Sequence, residues 1–145
     1  MSNTNDFQLA SDLRAAITRL TKKLRRESPT GLRLSFTERS TLSLLDQYRE
    51  LQPSELAAME MITNQSMSQV LNHLFGLGYI IRTDSETDKR KVNISLSQLG
   101  EATLQQFRHE RDEWLEKAIK ETCTPAEQEV LKSATSVLNK LIELK

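Results

Sequence analysis

Apolar residues recur every three or four positions in several stretches of the chain, a spacing typical of helices with one buried face. The first stretch spans about 6–27, with apolar residues at Leu9, Leu13, Ile17, Leu20 and Leu24. Further helices are predicted at about 35–49, 53–60, 64–77, 97–122 and 124–142. The chain is therefore expected to be mainly α-helical.

Several of these helices have recognisable start and stop signals. Ser35 and Glu38 form a capping-box pattern, in which each side chain bonds the backbone N–H of the other residue. Thr124 and Glu127 repeat this pattern, with a proline at the first helical position between them. Gly78 follows the fourth helix, where glycine commonly ends a helix.

Two short stretches after the fourth helix, 79–83 and 91–96, favour β-strands because they are rich in β-branched and apolar residues. The polar segment between them, 84–90, predicts a hairpin loop. Helices joined by a tight turn and followed by a β-hairpin are the order of a winged helix-turn-helix. The predicted fold is therefore mainly α with a small β-hairpin.

We predict a single domain, 1–145, in which a winged helix-turn-helix unit at 35–100 is flanked by helices at 6–27 and 101–145. The flanking helices carry apolar stripes, and one chain of this length has little further core for them to cover. Leaving several leucines in water costs about 1.5–3 kcal/mol each. These helices are therefore expected to pair with those of a second copy, and packing within one chain is the alternative.

The composition excludes several classes of protein. Apolar residues make up 37% and charged residues 28%, with 20 basic and 20 acidic side chains. No apolar run reaches the roughly 18 residues of a membrane span, and no secretion signal is visible, so we expect a cytoplasmic protein without membrane contact. The sequence contains one cysteine, Cys123, two histidines far apart, His73 and His109, and four glycines. None of these residues belongs to a recognisable metal-binding or phosphate-binding motif. No catalytic residue, metal site or cofactor is predicted.

The predicted fourth helix, 64–77, contains no charged residue. Its apolar side is expected to pack inward, and its polar side to contact DNA bases through Gln65, Ser66, Ser68, Gln69, Asn72 and His73. Asn and Gln can pair with adenine through two hydrogen bonds, and Ser can bond several base edges. A polar surface without a ligand, or a protein-binding face, would have a similar composition.

Basic residues cluster at the ends and tip of the predicted hairpin, at Arg82, Lys89, Arg90 and Lys91. Asp88 lies two residues before Arg90, close enough to orient its guanidinium. An arginine at the tip of a wing suits the narrow minor groove of A·T-rich DNA, although a solvated turn would look similar. A further cationic segment, 14–34, carries seven basic residues against one acidic residue and is either a phosphate contact or a solvated helix face.

At this point the sequence resembles the MarR family of transcriptional regulators over nearly its whole length. The resemblance is carried, in order and at the expected spacing, by 53–57, 66–71, 77–82, 88–97 and Gly100. Asp88 and Arg90 match the family's Asp-x-Arg wing signature, and the match at the third helix adds Ser54 to the expected DNA site. Many members have Arg where this chain has Gln69, so the base contacts are expected to differ.

The resemblance implies a homodimer in which the first and last two helices interleave with those of a second copy. Such regulators are usually repressors, and many are released by a small phenolic or anionic effector bound between the dimer helices and the winged unit. The redox-sensing branch carries an N-terminal cysteine that is absent here, and Cys123 lies near the opposite end.

The predicted function is a sequence-specific regulator that binds double-stranded DNA at a pseudo-palindromic, A·T-rich operator. The alternative is a winged-helix module that binds another protein and has only weak DNA contact.

Overall fold

The computed structural model describes residues 3–145, without the side chain of Leu32. The helices within this range are α1 (Thr4–Arg26), a short 3-10 turn (Thr30–Arg33), α2 (Phe36–Tyr48), α3 (Pro53–Met59), α4 (Asn64–Gly76), α5 (Gln98–Thr122) and α6 (Pro125–Ile142). Strands β1 (Ile80–Asp84) and β2 (Val92–Leu96) form one antiparallel hairpin between α4 and α5. The predicted class, mainly α with a β-hairpin wing, is confirmed.

The predicted caps form at the helix starts. The Ser35 hydroxyl accepts from the Glu38 backbone N–H at 3.1 Å, and a Glu38 carboxylate oxygen accepts from the Ser35 N–H at 2.8 Å. Thr124 and Glu127 make the same reciprocal pair at α6. These caps satisfy backbone donors that the first turn of a helix leaves without partners, so both helices begin where the sequence predicts.

The end of α4 explains a one-residue shift in the wing. Gly78 has a positive φ of 80°, its N–H donates to the Phe75 carbonyl at 3.0 Å, and the Tyr79 N–H donates to the Leu74 carbonyl at 3.0 Å. This is a Schellman motif, which uses the amide of Tyr79 to close the helix. Strand β1 therefore begins at Ile80, one residue later than the predicted start.

Strand β2 of the wing is hydrogen-bonded to the segment that follows α2. Leu51 pairs with Ile94 of β2 through two backbone hydrogen bonds of 3.1 and 2.8 Å. Just before this pair, Arg49 adopts a φ of 67°, and the Glu50 N–H donates to the Tyr48 carbonyl at 2.8 Å, which makes a γ-turn. The tight turn brings the chain from α2 directly onto the edge of β2.

The hydrophobic core lies inside the winged unit. Its most buried large side chains include Leu42, Leu56, Met67, Leu74 and Ile94. Leu104 and Phe107 of α5 also join this core, although they follow the predicted 35–100 unit.

The two terminal helices are different, because α1 and α6 have no buried residue. Their exposed apolar side chains include Phe7, Leu9, Ile17, Leu20, Val130, Leu131, Val137, Leu141 and Ile142. The predicted apolar stripes therefore exist, and most of their large side chains are exposed in the single chain, whereas Leu13, Leu24 and Leu138 are half-buried. None of the helices within residues 3–145 is long and apolar enough to cross a membrane.

Candidate nucleic-acid interface

The outer face of α4 is polar and open. Met67, Leu71 and Leu74 are buried, which turns the rest of the helix outward. All six residues predicted to contact bases are exposed: Gln65, Ser66, Ser68, Gln69, Asn72 and His73. Thr63 is the N-cap of the helix, and its side-chain oxygen accepts from the Ser66 N–H at 3.0 Å and donates to the Ser66 hydroxyl at 2.9 Å. Ser66 therefore helps to form the helix start.

A shallow groove separates α4 from the wing. Its lining comprises Gln52, Pro53, Ser54, Asn64, Ser68, Arg90, Lys91 and Val92. Ser54 and Ser68 supply hydroxyl groups on the helical side, whereas Arg90 and Lys91 supply positive charge on the wing side. Hydroxyl donors and cations along one groove are groups that bind phosphate oxygens in protein–DNA complexes, and a serine hydroxyl can also bond a base edge. The groove thus brings together predicted site residues from α3, α4 and the wing.

The wing presents Arg90 to solvent, with its guanidinium-bearing side chain 94% exposed. The Arg90 backbone N–H donates to Oδ1 of Asp88 at 3.0 Å, and the Arg90 Nε lies 3.6 Å from the same oxygen. Asp88 therefore shapes the turn through its backbone hydrogen bond, and its carboxylate lies beside the base of the Arg90 side chain. Lys89 and Lys91 are exposed on either side.

Arg82 is placed differently from the other basic wing residues. Its guanidinium lies over the Phe75 ring, 4.8 Å from the ring centroid. This cation–π contact joins β1 to the end of α4, and Arg82 does not line the groove. Of the predicted basic wing residues, Arg90 and Lys91 meet the groove and Arg82 lies at the base of the wing.

His73 makes a contact within the protein that the sequence did not indicate. Its Nδ1 is hydrogen-bonded to Oε2 of Glu38, while about half of its side chain remains exposed. Burial alone would raise the pKa of Glu38, but hydrogen bonds from Ser35 and His73 and the charge of His73 outweigh it, and the pKa lies below its ordinary value. Glu38 is therefore a carboxylate at neutral pH, and it can only accept hydrogen bonds.

A second pocket, of about 240 Å³, lies between α1, α2 and α5. We call it the arginine pocket, because its lining contains three arginines and aromatic and hydroxyl groups: Thr21, Arg25, Phe36, Arg39, Ser40, Ser43, Leu104, Phe107 and Arg111. No acidic side chain of the described part of the chain is among them. The pocket therefore combines an apolar wall with positive charge.

Arg39 is the most enclosed of these arginines, with 9% of the residue exposed. Its Nε is buried without a hydrogen-bond partner among the described residues. Burial, followed by the charges of Arg25 and Arg111, lowers the pKa of Arg39 from its ordinary value. An arginine keeps its proton in proteins, so the pocket holds a buried cation with unused donor capacity.

The loop after α1 is held by Glu110 of α5. Its carboxylate accepts from the Ser28 hydroxyl at 3.1 Å, from the Thr30 N–H at 3.2 Å and from the Thr30 hydroxyl. This places Gly31 so close to Arg39 that a β-carbon on the glycine would lie 3.1 Å from the guanidinium. Glu110 thus holds the loop after α1 against α5, beside the guanidinium of Arg39.

Comparison with known proteins gives a consistent result. The family model described as the MarR family matches residues 34–92. An uncharacterized HTH-type transcriptional regulator of Mycobacterium bovis is 31% identical over 139 residues, which cover 96% of this chain and 96% of that protein.

Solved structures show the same arrangement. A Pseudomonas aeruginosa protein, assigned as a transcriptional regulator, has a TM-score of 0.87 at 30% identity and covers 99% of this chain and 100% of its own. Streptococcus pneumoniae FabT, solved in complex with DNA, has the same fold with a TM-score of 0.65 at 23% identity, over 95% of this chain and 98% of its own.

Proposed function

Because the chain belongs to the MarR family of transcriptional regulators and is a DNA-binding regulator, we propose that it recognises a pseudo-palindromic, A·T-rich operator through α4 and the wing. The observation that carries this proposal is the uncharged polar face of α4 beside a groove that holds Arg90 and Lys91. The solved complex of FabT with DNA supports the use of this fold on a duplex.

The chemistry of each side chain indicates which part of the DNA it contacts. In the proposed interface Gln65, Ser68, Gln69 and Asn72 contact bases in the major groove. Arginine, which most often contacts guanine, is absent from α4, and Asn and Gln pair best with adenine. Ser54, Lys89 and Lys91 bind backbone phosphates, while Arg90 enters the adjacent minor groove, which is narrow and most negative in A·T-rich sequence.

Two copies are needed for a two-fold symmetric site. We propose that the helices at 6–27 and 101–145 form the dimer and that 35–100 is the DNA-binding unit within one MarR-type domain. The uncovered apolar stripes of α1 and α6 support this assembly, since burying them removes leucine and isoleucine side chains from water. The half-sites would then lie about 10 base pairs apart. The proposed regulatory role is that of a repressor which occupies this operator.

The arginine pocket is the proposed effector site. A small aromatic anion would place its ring against Phe36 and Phe107 and its negative charge beside the guanidinium of Arg39, the most enclosed cation of the lining. Arg25 contributes a second cation, and its guanidinium also lies over the Phe36 ring at 5.4 Å. Occupation of this pocket, which lies where α1 and α5 meet α2 of the winged unit, is proposed to release the DNA.

Selection of preferred duplexes from a random pool tests the DNA assignment. The expected product is a two-fold symmetric site with A·T-rich half-sites. Recovered half-sites dominated by G·C pairs, or without symmetry, would contradict the role given to the α4 face. Failure to enrich any duplex at either low or high salt would favour a protein-binding module instead.

Benzoate and its neutral analogue benzamide test the effector site. Benzoate should raise the melting temperature and weaken DNA binding, whereas benzamide should do neither at the same concentration, because it lacks the charge that Arg39 recognises. Arg39→Gln should abolish the benzoate effect, and Arg19→Gln, at an exposed position of α1 outside the pocket, should retain it. Equal effects of the two compounds would contradict an anion site.

A further inference from the structure

Among the described residues, the recognition helix α4 is joined to α2 by one ionic contact, between His73 and Glu38. Because the Glu38 carboxylate can only accept, the imidazole Nδ1–H of His73 is the donor. No residue of α4 is an Asp, Glu, Lys or Arg, so this histidine is the site at which an ionic partner can hold the helix. The remaining contacts of α4 with the core are made by apolar side chains such as Leu71 and Leu74.

The Glu38 end of this contact is rigid. The residue is only 7% exposed, and its other carboxylate oxygen accepts from the Ser35 N–H at 2.8 Å within the capping box of α2. Neighbouring Ser40 donates from its hydroxyl to Glu60 at the end of α3, at 2.5 Å. The first turns of α2 are thus bonded to both helices of the helix-turn-helix.

Apolar packing and a hydrogen bond constrain a helix in different ways. Apolar contacts fix how far α4 lies from the core, but they are not directional and tolerate small rotations about the helix axis. A charge-assisted hydrogen bond is directional and stronger than a neutral one. His73 is four residues from Gln69, on the same side of the helix, so a bond that holds His73 also sets the direction of Gln69.

We propose that His73 acts as a positioning residue, which fixes the rotation of α4 through Glu38 so that Gln69 and Asn72 face the bases. The sequence alone suggested that His73 contacts DNA directly. This proposal rests on the proposed use of α4 as the recognition helix. In this proposal, His73 increases the affinity for the operator relative to random DNA. It does not contribute to the affinity for DNA in general.

The test measures affinity for the duplex recovered by selection with the wild-type protein and for a random duplex of equal length. His73→Ala and Glu38→Ala should each weaken binding to the selected duplex by roughly fivefold to twentyfold and leave binding to random DNA unchanged. The double variant should be no weaker than the weaker single variant, because both substitutions remove the same contact. Additive losses would overturn the proposal.

His73→Asn provides a rescue, since the amide nitrogen of asparagine can occupy the place of Nδ1 and donate to Glu38. It should restore most of the specific affinity when Glu38 is present and none when residue 38 is alanine. Rescue in both backgrounds would mean that residue 73 contacts DNA directly and would overturn the proposal.

Ser35→Ala is the matched control for the loss of the capping box. It removes the other half of the α2 cap and leaves the contact between Glu38 and His73 in place. Its melting temperature should fall like that of Glu38→Ala while specific affinity stays at the wild-type value. A loss of specific affinity in this control equal to that of Glu38→Ala would show that cap loss explains the effect.

The proposed function fails separately. If the wild-type protein binds no duplex of the random pool preferentially, the proposed function itself is refuted.

Discussion

The carbonyl oxygen of Tyr79 lies 1.9 Å from the point that a β-carbon on Gly100 would occupy. The contact is held by the N-cap of α5, where the Ser97 N–H donates to the same Tyr79 oxygen at 3.0 Å and the Ser97 hydroxyl donates to the Gly78 carbonyl at 2.5 Å. The start of α5 is therefore pressed against the chain that leads from α4 into the wing.

Gly100→Ala should be strongly destabilising, by about 3 kcal/mol or more, because the new methyl group meets backbone that cannot move without breaking the cap. Chemical denaturation measures the loss. Gly76→Ala is the control, since a β-carbon there meets nothing within 4 Å, and it should change stability by less than about 1 kcal/mol. Equal stability of the two variants would contradict the close contact between Gly100 and the Tyr79 carbonyl.

Gln69→Ala should weaken binding to the best selected duplex by about 1–3 kcal/mol and have little effect on random DNA, because a base contact carries specificity. Fluorescence anisotropy on the two duplexes measures the difference. Gln47→Ala on α2, which is exposed and does not line the groove, is the control and should match the wild type on both. If the Gln69 variant loses affinity equally for both duplexes, Gln69 contacts phosphate and not a base.

Arg90→Ala should weaken operator binding by roughly 1–3 kcal/mol and remove any preference for A·T-rich flanking sequence, because the exposed guanidinium is the group available to enter the minor groove. Titration against operators that differ only in their flanks measures the effect. Lys89→Ala should instead reduce binding uniformly and lower the salt dependence by about one counterion. Unchanged discrimination between flanks in the Arg90 variant would place the arginine outside the minor groove.

Glu110 should make stability depend on pH in the acid range. Burial alone would raise the pKa of Glu110, but its hydrogen bonds with Thr30 and Ser28 outweigh this and hold it below the ordinary value of 4.5. Its stabilisation is therefore present above about pH 4.5 and is lost as the pH falls through the lowered pKa. Glu110→Gln should cost about 1–2 kcal/mol at pH 7 and progressively less at lower pH.

Melting temperatures from pH 7 to pH 3 measure this difference. Glu113→Gln is the control on the same helix, because Glu113 is exposed and pairs only with His109 one turn away among the described contacts. It should follow the wild type across the range. A Glu110 variant whose deficit is constant with pH would show that the carboxylate is not the titrating group.

Sedimentation at micromolar concentration should show a dimer, with little of the 16.6 kDa single chain. Val137→Glu combined with Leu141→Glu places charge in the uncovered stripe of α6 and should shift the protein toward single chains. Ser136→Glu lies on the opposite side of this helix and should remain dimeric. Wild-type protein that sediments as single chains at this concentration would contradict the assembly.

The elements that the sequence predicts well depend on neighbouring residues. The pairs of Ser35 with Glu38 and of Thr124 with Glu127 lie three positions apart, so their caps follow from local chemistry. The polar face of α4 is likewise visible as a periodic pattern. The one-residue error at the start of β1 arose because the Tyr79 amide is used by the preceding helix.

The features that the sequence does not predict join distant segments. The arginines of the pocket come from three helices, and each one alone looks like an ordinary solvated cation. His73 and Glu38 are 35 positions apart, and nothing local to either residue indicates its partner. Such contacts depend on how the helices pack, which residue spacing within one helix does not determine.

The uncovered stripes of α1 and α6 also bear on how this regulator would respond to its own abundance. In the proposed dimer, the stripes are covered only after two chains meet, so assembly is a second-order event and stability depends on protein concentration. Below the dimer dissociation constant, the amount of binding-competent protein would rise with the square of the chain concentration. A modest change in synthesis or turnover would then produce a larger change in operator occupancy. Operator occupancy would therefore depend steeply on the expression level of the protein.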